Sequence, residues 1–218
     1  MNDQAIKAET KRRWKKTIFA VVLGAVAGFL SAFGFLNLVD SGTLGELGGS
    51  REIAGLVGLV FLVTGLGIGA ALLNPKAGAK YLNVEDADEI LEQRGVLAYS
   101  SAGIAAMGLQ LIGAALAAPV GPIGQGMALA IILAMTALLV VTSALAYSKQ
   151  DELMRAIGNE AGKVAYYLLA LFGGGWALAA HLGYVAGPAP LDWITMLYAS
   201  ILLAAFYVTA RRGMMLMR

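Results

Sequence analysis

The sequence contains no cysteine and only one histidine, His181. The lack of cysteine excludes disulfides, thiolate metal sites, cysteine nucleophiles and thiolate-held iron–sulfur clusters. One histidine cannot supply both axial ligands of a bis-histidine haem within one chain, nor the histidine pair of a zincin. His181 is therefore a cofactor candidate only as one ligand of a metal or pigment that is shared with another subunit, and an interfacial hydrogen bond is the favoured role. We expect no cofactor.

Charge is also scarce. Charged residues make up 14% of the chain and hydrophobic residues 59%, which lies outside the range of soluble domains. Six runs free of Asp, Glu, Lys and Arg are each close to the roughly 20 residues that a helix needs to cross a bilayer. None alternates strictly between apolar and polar residues, as the strands of a membrane barrel do. The predicted fold class is therefore all-α, a single six-helix transmembrane domain with spans at Thr17–Val39, Ile53–Asn74, Val96–Ala118, Gln125–Tyr147, Val164–Gly183 and Trp193–Ala210.

The first run has a second interpretation. Basic residues precede it, and Ala25-Val26-Ala27 fits the cleavage pattern of a signal peptide. However, the apolar run continues to Val39, which is the length of a membrane anchor rather than of a signal. Retention as a membrane helix is favoured.

The distribution of basic residues predicts the orientation. If the N-terminus is cytoplasmic, all but one of the 16 Lys and Arg residues lie on that side, Lys7 and Arg218 among them, and only Arg51 lies outside. Both termini are then cytoplasmic, and the spans form three hairpins over about 1–74, 75–147 and 148–218. The expected location is a bacterial inner membrane.

Two charged stretches precede spans three and five. Ser148 is placed to cap a helix, and the helix dipole favours Asp151 and Glu152 in its first turn. Asp151 and Arg155 are spaced to pair across one turn. We therefore expect an overlong fifth helix, from about residue 149 to 183, that offers a charged platform on the cytoplasmic side.

The other stretch is acidic. Asn83 followed by Asp86 resembles a second helix start, and Glu85, Asp88 and Glu92 would share one helix face. Three carboxylates on one face are candidate ligands for Ca²⁺ or Mg²⁺. Because the spaced oxygen ligands and glycine of a calcium loop are missing, a solvated helix start is the favoured interpretation, ahead of docking of a basic partner protein.

Polar and small residues inside the spans are the remaining signals. No span contains Asp, Glu, Lys or Arg, the groups on which ion-coupled transport usually depends. Gln110 is the most conspicuous polar side chain there, and a hydrogen bond between helices is favoured over a polar path. Glycines predict close packing of helices. The candidates are Gly24, Gly28, Gly65, Gly69, Gly103, Gly173 and Gly174.

The function predicted from these features is non-enzymatic. The leading hypothesis is an accessory or scaffold subunit that packs against other membrane components or against itself. The alternative is a small permease, channel or lipid-handling protein for a neutral or apolar solute, and an enzyme ranks third because clustered catalytic groups are missing. Basic residues at both ends favour contact with anionic lipid headgroups over nucleic acid.

Overall fold

The structure, a computed structural model, describes residues 3–215 and the side chains from Thr10 onward. The described residues are all-α, with an isolated β-bridge between Ala117 and Ile123 and no strand. The elements are α1 (Asp3–Asp40), α2 (Gly49–Leu73), α3 (Pro75–Gly78), α4 (Ala87–Glu92), α5 (Arg94–Ala115), α6 (Gln125–Lys149), α7 (Glu152–Leu168), a π-helical turn (Leu169–Gly174), α8 (Gly175–His181) and α9 (Pro190–Arg211). Lys7 and Arg218, both counted in the predicted orientation, lie outside the described side chains.

Six of these helical segments are long and apolar enough to cross a membrane, so the predicted all-α class and the six apolar helices are confirmed. They cover Thr10–Asp40, Gly49–Leu73, Arg94–Ala115, Gln125–Lys149, Glu152–His181 and Pro190–Arg211. Each contains the core of one predicted span, and most ends agree within four residues, but the first segment begins at Thr10 and the fifth at Glu152, well before the predicted Thr17 and Val164.

The fifth of these segments is continuous over its 30 residues, from Glu152 to His181. At 1.5 Å per residue this is about 45 Å, longer than the hydrocarbon core requires. The segment includes the π-helical turn, which contains Gly173 and Gly174 and was not expected from the sequence. Such turns insert one extra residue into a helix.

The centre of the bundle lies between α2, α5 and α9. Its buried residues include Phe61 on α2, Leu111 on α5 and Tyr198 on α9, with the Phe61 and Tyr198 rings 5.8 Å apart. α6 packs along the side of α5, and α7 packs along α9. α1 contacts mainly α2 and is the least buried of the six long segments.

Contacts at one end of the bundle, called here the basic end, join residues 10–16, 75–95, 149–160 and 211–215. Lys16 Nζ donates to the carbonyl oxygen of Val84, and Asn83 Nδ2 donates to that of Met214 at 3.3 Å. Glu160 on α7 accepts from Arg212 after α9, at 3.0 and 2.6 Å. A small cluster of Ala71, Val84 and Ile90 is buried beneath these contacts.

Contacts at the opposite end join the loops that follow α1 and α5. Gly45 has φ of +84°, and a Cβ there would lie 2.0 Å from the carbonyl oxygen of Val120, so only glycine fits this turn. Arg51 Nη1 donates to the carbonyl oxygen of Ala115 at 3.0 Å and to that of Ala117. Arg51, the one basic residue predicted on the outer side, thus bonds to the last carbonyl of α5 and to one in the turn that follows it.

Candidate functional site

A groove with a volume of about 530 Å³, called here the α1–α2 groove, separates α1 from α2. The two helices meet near the opposite end, where the buried Phe35 ring occupies the space that a side chain at Gly55 would need. Toward the basic end they separate. The groove is lined by Ala20, Leu23, Gly24, Ala27 and Gly28 of α1, by Val60, Val63, Thr64, Gly67 and Ile68 of α2, and by Tyr81 and Leu82.

Glycine keeps this groove open. A Cβ added at Gly24, Gly28 or Gly67 would meet no neighbouring atom within 4 Å. Thr64 contributes a hydroxyl, but that hydroxyl donates to the carbonyl oxygen of Val60 in its own helix at 2.7 Å. The walls therefore offer an apolar trough of small residues to an occupant.

The segment that joins α3 to α4 closes the groove at the basic end. Tyr81 Oη donates to the carbonyl oxygen of Gly67 on α2 at 2.8 Å. Burial raises the pKa of Tyr81, which keeps the hydroxyl protonated as a donor. Leu82 and Tyr81 also pack on the buried cluster of Ala71, Val84 and Ile90. The segment is thus bonded to α2 through Tyr81 and to α1 through the bond from Lys16 to Val84.

A second cavity of about 400 Å³, called here the basic cavity, adjoins the groove. Consecutive residues line the two: Phe19 and Lys80 line the basic cavity, and Ala20 and Tyr81 line the groove. The basic cavity is lined by Arg12, Arg13, Lys15, Lys16, Phe19, Ala79, Lys80 and Glu85. Five cationic side chains therefore surround it with one carboxylate, and its field favours an anion.

The glycines predicted to pack helices fall into two groups. A Cβ at Gly65 would lie 2.6 Å from the amide nitrogen of Ala105, and one at Gly69 or Gly103 would lie 3.0 Å from the hydroxyl oxygen of Ser101 or Thr142. Gly173 approaches the Trp193 ring equally closely. Gly24, Gly28 and Gly174 have no such neighbour within 4 Å.

Gln110 joins three helices. Its Nε2 donates to Thr136 Oγ1 on α6 at 2.8 Å, and its Oε1 accepts from the hydroxyl of Tyr198 on α9. Thr136 in turn donates to the carbonyl oxygen of Ile132 at 2.7 Å. The amide therefore uses both of its ends in contacts between helices. Tyr198, which sequence reasoning missed, is the buried partner that completes this network.

The predicted helix starts need correction. Ser148 is not a cap: it belongs to the last turn of α6, and its hydroxyl donates to the carbonyl oxygen of Leu145 at 2.8 Å. Asp151 caps α7 instead, accepting from the amide of Met154 at 2.7 Å, and Glu152 lies in the first turn. Ser148 has no role in α7 because Gln150 is extended and separates the two helices.

Arg155 also differs from its predicted place. Its guanidinium lies 4.9 Å from the ring centroid of Tyr147 and forms no ion pair with Asp151. A cation over an aromatic face is stabilised by the ring quadrupole, which here competes with the predicted pair across one turn.

The acidic stretch forms a short helix with its cap at Asp86, which accepts from the amides of Asp88 and Glu89 at 3.0 Å. Asn83 does not cap it, since its side chain reaches Met214. Glu85 lines the basic cavity. Within the described residues, Glu85, Asp88 and Glu92 belong to no group of three or more His, Asp or Glu side chains placed to hold a metal ion.

His181 is the last residue of α8 and is exposed. Comparison of the chain with models of protein families, with curated proteins and with solved structures finds no match.

Sequence reasoning missed the groove. Its signal is present in α2, where Gly58, Gly65 and Gly69 follow one another at spacings of seven and four and face α5, while Gly67 lies on the other side of the helix. The spacing therefore assigns the glycines to different faces of α2. It does not show which face packs against another helix.

Proposed function

We propose that this chain is a non-enzymatic integral membrane protein that handles lipid, holding an apolar lipid chain in the α1–α2 groove. The observation that carries the proposal is the groove itself, which has apolar walls, glycines on both helices and closure at both ends. Walls that face a gap lose the dispersion contacts that a packed neighbour would supply, so an apolar chain in the groove is favoured. An acyl or isoprenyl chain is apolar, as the walls of the groove are.

Because both ends of the groove are closed, a lipid in it would be held by the protein and would differ from the bulk lipids that surround the helices. At one end the Phe35 ring fills the space beside Gly55, and at the other Tyr81 is bonded to Gly67. A chain in the groove contacts both helices and the Tyr81-Leu82 closure at once. These contacts replace the side-chain packing that Gly24 and Gly28 cannot make with α2, since dispersion contacts are lost wherever a wall has no partner.

The orientation belongs to the same proposal. We place the basic end in the cytoplasm and both termini with it, in a bacterial inner membrane, because Lys and Arg resist translocation. Arg51 is compatible with the outer side, since its charge is bonded to the carbonyls that end α5.

A second candidate, the accessory subunit, is supported by α7. Glu160 is bonded to Arg212 just beyond the end of α9, so the eight residues before it, about two turns of α7, extend past that end. Leu153 is 51% exposed there among charged residues. A partner on the basic side of the membrane would meet this surface.

The proposal can be tested by filling the groove with larger side chains. We would change Gly24 and Gly28 to leucine together and measure lipid retained by the protein after gentle extraction from its own membrane, using native mass spectrometry. The control variant carries leucine at Gly34 and Gly162, two helical glycines that also have open space around them but line neither the groove nor the basic cavity. Equal thermal midpoints of the two variants would show that both fold.

We expect the wild type and the control variant to retain a lipid and the Gly24→Leu, Gly28→Leu variant to lose it. Equal retention in both variants would overturn the proposal. Loss of a bound protein instead of a lipid, in the groove variant alone, would assign the groove to a partner helix and support the accessory subunit.

A further inference from the structure

We infer that the lipid held in the groove carries an anionic, phosphate-type headgroup, which the basic cavity binds. This inference rests on the proposed lipid chain in the groove. It adds the chemical class of the ligand, which the groove alone does not specify because its walls are apolar.

The first argument is position. Consecutive residues line the basic cavity and the groove: Phe19 and Ala20 on α1, and Lys80 and Tyr81 on the segment that joins α3 to α4. An amphipathic lipid likewise has a charged headgroup next to an apolar chain. A chain that lies between Gly24 and Gly67 therefore places its polar end beside the basic cavity, without crossing another element.

The second argument is charge. The cavity lining contributes Arg12, Arg13, Lys15, Lys16 and Lys80, and Glu85 is the opposing carboxylate. Lys16 Nζ donates a hydrogen bond to the carbonyl oxygen of Val84, and the other four cationic residues line the same space. Basic pockets between membrane helices on the cytoplasmic side are a recurrent way to bind phosphate headgroups. Arginine adds bidentate recognition of phosphate oxygens.

The third argument is that these cations come from two separate elements. Arg12 to Lys16 lie on α1, whereas Lys80 lies on the segment that is anchored to α2 through Tyr81. A headgroup between them would add to the bond from Lys16 to Val84, which joins α1 to this segment at the end where the two helices separate. A purely surface attraction to anionic membranes would not require a cavity shared by both elements.

The experiment compares two lipids with the same chains in the full-length protein. Dioleoyl phosphatidylglycerol carries a net negative charge, and dioleoyl phosphatidylcholine does not. Binding of each would be measured by native mass spectrometry and by thermal shift, with inorganic phosphate and neutral dioleoylglycerol as separate probes. The variant Arg12→Gln, Lys80→Gln removes one charge from each side of the cavity. The matched control Lys11→Gln, Lys76→Gln removes the same total charge from the same two parts of the chain, outside the cavity lining.

We expect the wild type to prefer phosphatidylglycerol, and the cavity variant to bind it about thirtyfold more weakly, at roughly fivefold for each charge removed. The control variant should change by less than about twofold. Glu85→Gln, which removes the opposing carboxylate, should tighten binding by about fivefold on the same basis.

Three results would overturn the inference. If phosphatidylglycerol binding weakens equally in the cavity and control variants, the lipid is attracted to the basic surface in general and not bound in the cavity. Equal binding of the two phospholipids by the wild type would remove the headgroup preference, while dioleoylglycerol retained in the groove would leave the proposed function intact. Inorganic phosphate that displaces phosphatidylglycerol and stabilises the wild type by itself would assign the cavity to the free anion.

Discussion

The two faces of α2 use the same residue to opposite effect. Toward α5, glycine brings two helix backbones together: a Cβ at Gly108 would lie 2.6 Å from both the carbonyl oxygen of Gly58 and the amide nitrogen of Leu62. Toward α1, Gly67 faces a groove in which Gly24 and Gly28 also have no neighbour within 4 Å. A glycine in a membrane helix therefore permits contact but does not ensure it.

The difference follows from what else the two faces carry. At the interface of α2 with α5, Ser101 donates to the carbonyl oxygen of Gly65 at 2.8 Å, and Phe61 and Leu111 are buried nearby. At the face toward α1, Phe35 provides one large contact at Gly55, and Tyr81 and Leu82 occupy the space near the basic end. Because helices in a bilayer associate through packing and hydrogen bonds rather than hydrophobic exclusion from water, the face with fewer such contacts stays apart.

The largest effect is expected from Gly108→Ala, which tests the close interface. The new methyl group meets backbone atoms on α2 that cannot rotate away, so we expect a loss of about 2–3 kcal/mol and a fall of the thermal midpoint by roughly 5–10 °C. Thermal unfolding of the purified protein measures it. An unchanged midpoint would show that α2 and α5 separate readily and would remove the contrast between the two faces.

A smaller loss is expected from Gln110→Leu, which removes the hydrogen bonds from α5 to α6 and α9. The hydroxyl of Tyr198 is then left buried without its acceptor, at a cost of about 1–2 kcal/mol and roughly 3–6 °C in thermal midpoint. Adding Tyr198→Phe removes the orphaned donor and should restore part of the loss. If the double variant instead shows the sum of both single losses, the two side chains act independently and the network does not stabilise the bundle as a unit.

The smallest effect, and of opposite sign, is expected from Gly28→Ala. In protein freed of lipid, the methyl group enters open space in the groove, and alanine is the better helix former by about 0.4–1 kcal/mol. The thermal midpoint should rise by roughly 1–3 °C. A fall as large as that of Gly108→Ala would mean that α1 lies against α2 at Gly28, and the groove would be closed.

Much of the fold could be predicted from the sequence. Six charge-free runs of sufficient length are enough to predict six membrane helices, because the bilayer fixes the length of an apolar crossing. The amide of Gln110 could be predicted to bond between helices, since a polar group in the spans requires a partner. Tyr198 could not be identified as that partner, because its distance of 88 residues along the chain leaves no local signal.

The helix starts show where local patterns reach their limit. Asp151 and Ser148 are both acceptable caps, and the choice depends on where α6 ends. α6 continues through Lys149, which places Ser148 inside it and leaves Asp151 to cap α7. Arg155 is likewise drawn to the Tyr147 ring, a contact between two helices that spacing along one helix does not reveal.

The sequence by itself determined the number of apolar helices and the concentration of basic residues that predicts which end faces the cytoplasm, because both depend only on composition along the chain. The tertiary structure decided which glycines are contacts and which line the groove, and that five cations surround one cavity beside it. Glycine has no side chain whose polarity could mark a face as buried or open. Only the distance to the neighbouring helix makes that distinction.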